Sequence, residues 1–338
     1  MSSVPAVIKF LAIGSSGDIN IEYTIVYVKS KLYNGLMSQR TLGILALLLS
    51  TIFWGAGPVF SKIGISQIPP FSFAFLRLSL ALILILPFLF ALKHHKIAKT
   101  DIKRFILIGI VGSGLNAIFF MAGLSKTTAS TASAIFATVP LLNAVAASLV
   151  LKEIPSAARI LGVMIGFLGS AIITLGSEFE SAAQFGDVGG NLLVFGAAIF
   201  WVFYIVLSKE LLNKYQPITI TTYSFLVGAV TLFPLAIFEI IKEPNWYQNV
   251  GINAIIGLVY GAVFAGLLAF IFFQWGLRLT SAFEAGISTY LQPVITALIA
   301  IPVLGEFPQP IFITGTVLIL GGIFLATTYE LVKRKREQ

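Results

Sequence analysis

The sequence contains no cysteine, and its 338 residues include two histidines, His94 and His95, side by side in a Lys-rich stretch. The first absence excludes a disulfide framework, a thiolate nucleophile and a Cys-built metal site. The second leaves a His-built metal centre short of ligands. Charge is scarce as well. Only 11% of residues are Asp, Glu, Lys or Arg, against about a quarter in soluble domains. Charges this few and scattered exclude intrinsic disorder and nucleic-acid binding as a main role. What is abundant is apolar: 57% of residues are hydrophobic, and the mean hydropathy is +0.96. The class that remains is a polytopic membrane protein.

A helix needs about 20 mostly apolar residues to cross the hydrocarbon core. Ten stretches qualify: 43–64, 70–92, 104–124, 128–151, 157–176, 190–211, 217–238, 252–274, 282–304 and 309–330. Turn and charge signals divide them, among them Gln67–Pro70, Lys93–Lys96, Lys152–Pro155 and Gly305–Pro308. A closed β-barrel would need strands alternating over about ten residues, and the run Leu78–Leu86 does not alternate. Lys and Arg accumulate on the cytoplasmic side. With the N-terminus inside, all of the 22 basic residues except Lys62, Arg77, Lys126 and Lys242 fall on that side. Ten spans then put both termini in the cytoplasm, with the plasma membrane as the expected location. The basic tail 331–338 reads as a topology anchor. Residues 1–42 are expected to form a cytoplasmic extension outside the fold, because Val4–Ile13 is too short to span and is broken by Lys9. Met37 looks like a natural start.

The chain repeats itself. At an offset of 147, Trp54 falls on Trp201, Ser61 on Ser208, Lys62 on Lys209 and Pro70 on Pro217. Further along the offset becomes 153, and Gly123 falls on Gly276, Ala129 on Ala282, Pro140 on Pro293, Glu153 on Glu306 and Pro155 on Pro308. Composition alone supplies Gly, Ala and Leu matches; it does not readily align Trp, Lys, Glu and three prolines with one change of offset. The expected units are 43–176 and 190–330, five spans each. An odd number of spans makes the second unit enter from the opposite side. Inverted repeats of this kind are typical of transporters, with the substrate site near the midplane between the halves. The fold class expected is therefore an all-α membrane protein of ten transmembrane helices, two inverted five-helix repeats around a central cavity.

The run Thr51–Lys62 (TIFWGAGPVFSK), followed by Ile68–Arg77 (IPPFSFAFLR), resembles the opening of an EamA domain of the drug/metabolite transporter superfamily. Ala129–Pro140 (ASTASAIFATVP), with Leu151–Glu153 after it, is similar to that domain's fourth helix and its exit. Asn191–Lys209 and Ala282–Glu306 repeat the same elements. The resemblance covers about 43–330. It implies ten helices around a cavity and export or exchange of small metabolites, often amino acids. The second copy departs from the first where Val202 follows Trp201 and where Ser224 matches Arg77.

A charge inside the bilayer costs at least about 2.5 kcal/mol, so Arg77 needs a reason. Either it faces the cavity and holds an anionic group by its planar fork, or it snorkels outward. Lys62, nearer the end of its span, is explained by snorkelling at lower cost. Trp54 and Trp201 lie mid-span, whereas tryptophan favours the interface; they either pack or wall a cavity and stack on a substrate. Tyr204 is one turn beyond Trp201. Asn116, Tyr223, Ser224, Tyr260, Tyr290 and Gln292 can each offer a hydrogen bond to a substrate in a mostly apolar pocket or bond a neighbouring helix. Pro140 and Pro293 occupy matched mid-span positions and are candidate hinges, since proline removes a backbone donor.

Proton coupling commonly uses an embedded carboxylate, and none lies near a midplane. Glu153, Glu239 and Glu306 leave their spans, and Glu284 sits in the first turn of its span, the best remaining candidate. The reading leans toward facilitated diffusion, exchange or weak coupling. An intramembrane enzyme would need an acid/base pair, a metal or an activated nucleophile, so no catalytic residue, metal or cofactor is expected. No ATP-binding loop is present, and no loop suggests a channel filter. A nucleotide-sugar or sugar-phosphate exchanger of the same superfamily needs several cations in its cavity; here Arg77, with Lys62 at most, qualifies. The partners expected are a small-molecule substrate and membrane lipid, with no nucleic acid.

Overall fold

A computed structural model describes residues 38–91, 96–140, 142–143, 146, 157–175, 187–306 and most of 310–325. The chain divides into units 1–41 and 42–338. Of the first, residues 38–41 are described, and they open the first helix. The second unit is helical, with no strand among the described residues.

The helices are α1 Gln39–Ile65, α2 Pro70–Ala91, α3 Ile102–Leu124, α4 Ala129–Phe136, α5 Ala157–Leu175, α6 Val188–Leu211, α7 Pro217–Lys242, α8 Ile252–Leu279 and α9 Ala282–Leu304. A shorter apolar stretch, α10, lies at Ile313–Gly322. Seven helices (α1, α2, α3, α6, α7, α8 and α9) are long and apolar enough to cross a membrane. Of the other expected spans, 157–176 is met by the helix α5. The stretches 128–151 and 309–330 run in part outside the described residues, as do Glu153 and the tail 331–338. Ile83, Phe88, Val230, Phe238 and Leu298 are exposed, an apolar exterior that suits lipid and not water.

Local chemistry sets the helix starts. Thr128 accepts a hydrogen bond from Thr131 N–H and caps α4. Ser281, its match at offset 153, caps α9 in a capping box with Glu284. Asp187 caps α6 through Gly190 N–H at 2.6 Å. Pro217 opens α7 with its φ already set for a helix.

The irregular turns also recur. α3 widens to a π-helix at Gly109–Leu115 and α8 at Val263–Leu268; at offset 153, Ile110–Leu115 falls on the second of these. The chain tightens at the end of α4, where the Ala137 and Thr138 N–H groups donate to the Ala134 and Ile135 oxygens. α9 tightens to a 3₁₀ turn at Thr289–Leu291, which the same offset matches. Each tight turn lies just before a proline, Pro140 or Pro293. A proline cannot donate to the carbonyl four residues back, so the helix ladder is already interrupted there.

α6 packs along α3, and α7 along α2 and α3. Two close approaches mirror each other. A Cβ on Gly123 would lie 2.6 Å from Val194 Cγ2 and 2.7 Å from Gly190 O, and one on Gly276 would lie 2.7 Å from Leu47 Cγ and 2.8 Å from Gly43 O. Only glycine lets these backbones meet.

Candidate functional site

The side chains that meet between the helices form a cavity. α1 contributes Trp54, Gly57, Pro58 and Ser61, one face at helical spacing, and α2 contributes Arg77. Asn116 and Phe120 come from α3, and Ser133 and Phe136 from α4. The other half of the chain adds Trp201, Ala265, Phe270 and Gln292.

Part of its wall is aromatic. Trp54 and Trp201 meet edge to face with centroids 5.0 Å apart. Phe270 stands 5.4 Å from the first and 5.6 Å from the second. Trp54 Nε1 donates to Ala265 O at 2.8 Å. That oxygen lies in the π turn of α8, where widening alters the helix ladder. Asn116 Nδ2 donates to Ala197 O at 2.8 Å, which fixes the amide. Arg77 Nε is buried without a hydrogen-bond partner, and among the described residues no acid lines the cavity.

Of the expected site residues, Trp54, Arg77, Asn116, Trp201 and Gln292 come together here. Tyr204, Tyr223, Ser224, Tyr260 and Tyr290 are not in its lining. Tyr204 lies behind Trp201, ring centroids 5.0 Å apart, and its hydroxyl accepts from Gln274 Nε2 at 2.6 Å. Ser224 is fully buried, beside the Tyr204 hydroxyl. Tyr223 packs against Phe105. Tyr260 donates to Phe53 O at 3.0 Å and stacks on Phe60. Tyr290 donates to Val163 O at 3.3 Å. Pro140 and Pro293 sit at the helix breaks described above.

Ser61, Gly57, Phe120, Ser133, Phe136 and Phe270 are lining residues that sequence reasoning passed over. A signal existed for Gly57 and Ser61, which follow Trp54 by three and seven positions and so share its face.

The charged residues nearer the helix ends have structural partners. Lys62 Nζ donates to Leu124 O at 2.8 Å and to Thr127 O at 2.6 Å. Lys209 Nζ donates to Leu277 O at 2.6 Å and also to Thr280 O. Donors and acceptors both match through the repeat. Glu239 accepts from Phe71 N, Ser72 N and Ser72 Oγ at the start of α2. Glu306 does the same for Ala129 and Ser130 at the start of α4. A carboxylate at a helix N-terminus satisfies orphan N–H groups and suits the dipole.

A profile of the EamA-like transporter family matches residues 41–175 and again residues 188–328. The chain belongs to this family. An uncharacterized transporter of Bacillus subtilis, YyaM, is 28% identical over 295 residues, 86% of this chain and 95% of its own. A probable terminal-alkyne amino-acid exporter of Streptantibioticus cattleyicolor is 22% identical over 293 residues, 86% of this chain and 95% of its own. A solved crystal structure at 20% identity superposes with a TM-score of 0.62, covering 85% of this chain and 96% of that one; it speaks for the fold. Membership in the EamA-like family and the apolar helices make this a multi-pass membrane protein and point to a transporter rather than an enzyme.

Proposed function

We propose that this EamA-like protein is a secondary, ATP-independent carrier that exports small organic metabolites such as amino acids by alternating access. It sits in the plasma membrane with both termini in the cytoplasm, and its ten spans form two inverted five-helix repeats. The observation that carries this reading is the pairing of Lys62 with Lys209, each bonded to carbonyls at the matched end of α3 or α8. The close approaches at Gly123 and Gly276 support an inversion: the end of α3 meets the start of α6, and the end of α8 meets the start of α1. Lys62 and Lys209 thus lie at opposite ends of the bundle. Both halves line the cavity between them. A relative named as an amino-acid exporter supports the substrate class. A nucleotide-sugar or sugar-phosphate exchanger is less well supported, because among the described residues Arg77 is the one charged residue in the lining.

The test is counterflow in liposomes holding this protein alone. Vesicles are loaded with one member of a panel of amino acids and other metabolites, and a trace of labelled compound is added outside, with no ion gradient. Transient accumulation of label is the expected result. No accumulation for any compound, with or without a proton or sodium gradient, would contradict the carrier reading.

A further inference from the structure

Resting on the carrier reading, we infer that the cavity takes an organic monoanion: one carboxylate held by Arg77, with an apolar or aromatic body lying against Trp54 and Trp201.

The site is built around that arginine. Its Nε is buried and has no partner, and among the described residues none accepts a hydrogen bond from its guanidinium. A guanidinium with a buried, unpartnered nitrogen and no counter-charge is costly, and its planar fork is shaped to receive two carboxylate oxygens. Gly261 makes room for the arm: a Cβ there would stand 2.9 Å from Arg77 Cδ. The remaining walls divide in two. Trp54, Trp201, Phe120, Phe136 and Phe270 give flat apolar faces, the surfaces that bind an aromatic or aliphatic body. Asn116, Gln292, Ser61 and Ser133 give uncharged hydrogen-bonding groups.

The charge count then sets the class. One negative charge on the ligand neutralises Arg77. A second would enter the low-dielectric site unmatched. An ammonium would find no carboxylate, because none lines the cavity among the described residues; its best reception is an indole face, a weaker one. A deaminated acid is therefore favoured over the zwitterionic amino acid of the same skeleton.

The experiment is a binding titration on the purified full chain in detergent micelles, followed by tryptophan fluorescence. Trp54 and Trp201, two of the four tryptophans, line the site. The probes are 3-phenylpropionate, 3-phenylpropionamide, phenylalanine, and shorter and longer straight-chain carboxylates. The acid should saturate at a concentration at least about tenfold below the amide, with phenylalanine in between. Arg77→Gln should weaken the acid about tenfold or more and leave the amide within about twofold, which also shows that the cavity is intact. Arg77→Lys should keep part of the preference; if the Gln variant binds nothing, the wild-type ratio and the Lys variant decide. Equal binding of acid and amide, an acid preference that survives Arg77→Gln, or no saturable binding by any acid would overturn the inference. The titration needs no flux. Acid preference without counterflow would fail the carrier reading alone, and counterflow without acid preference would fail this inference alone.

Discussion

At the scale of single residues, Lys62 and Lys209 show how a membrane charge is accommodated. Each ammonium ends on two carbonyl oxygens that its own helix does not supply. Replacing Lys62 by Met keeps the stem and removes the donors, leaving the Leu124 and Thr127 oxygens without that partner. Each unsatisfied buried group costs about 1–3 kcal/mol, so Lys62→Met should lower the Tm of the purified protein measurably. A freely snorkelling lysine would leave Tm unchanged on the same substitution. The pairing of these lysines was legible in the sequence, through the offset of 147. Their acceptors were not, because Leu124 and Thr127 lie more than sixty positions away and backbone oxygens carry no sequence signature. The same holds for Glu306, whose position at a helix end was visible but whose partners at Ala129 and Ser130 were not.

At the scale of elements, the breaks at the end of α4 and within α9 and the π turns in α3 and α8 come in matched pairs. The prolines announced the first pair. Nothing in the sequence announced the second: Gly109–Leu115 is glycine-rich, but its match Val263–Leu268 holds a single glycine. The break before Pro293 gives α9 a joint beside Gln292, which lines the cavity. Pro293→Ala restores the missing donor, so counterflow should slow several-fold while Tm holds or rises; unchanged flux would remove the joint from the transport cycle. A second prediction concerns the loop before α3. Asp101 accepts from Tyr215 Oη at 2.8 Å and from Lys214 at 3.4 Å. The Tyr215 hydrogen bond, with smaller help from Lys214 and Arg104, holds its carboxyl below the usual range, against the upward push of desolvation. A carboxyl depressed in the folded state stabilises above its unfolded pKa of about 4, and that stability is lost as pH falls through the folded value. Asp101→Asn should therefore lower Tm at neutral pH, and the difference from the parent should shrink as the medium is acidified. A difference independent of pH would assign the effect to shape alone.

At the scale of the whole molecule, the repeat makes the two ends of the bundle comparable position by position. Where the first half has Gly57, Ser61 and Arg77 in the cavity lining, the second has Tyr204, Ser208 and Ser224, all buried. Tyr204 fills its end, against Gly112, where a Cβ would stand 2.0 Å from the ring. The positions that line the cavity in the first half are therefore matched in the second by positions packed around an aromatic side chain. The duplication could be read from the sequence because Trp, Lys, Glu and Pro recur in order. The asymmetry could not, because it depends on how far Tyr204 reaches across to α3. In an alternating carrier the packed positions must open while the lining positions close. The chain has no cysteine, so the parent protein is itself the background for thiol labelling. The decisive measurement is the accessibility of Ser61→Cys and Ser208→Cys, made singly, to a membrane-impermeant maleimide applied from either side of vesicles of known orientation. The two positions should label from opposite sides, and a substrate or gradient that raises one rate should lower the other. Labelling of both from the same side, or rates that rise together, would contradict two inverted halves alternating about one cavity.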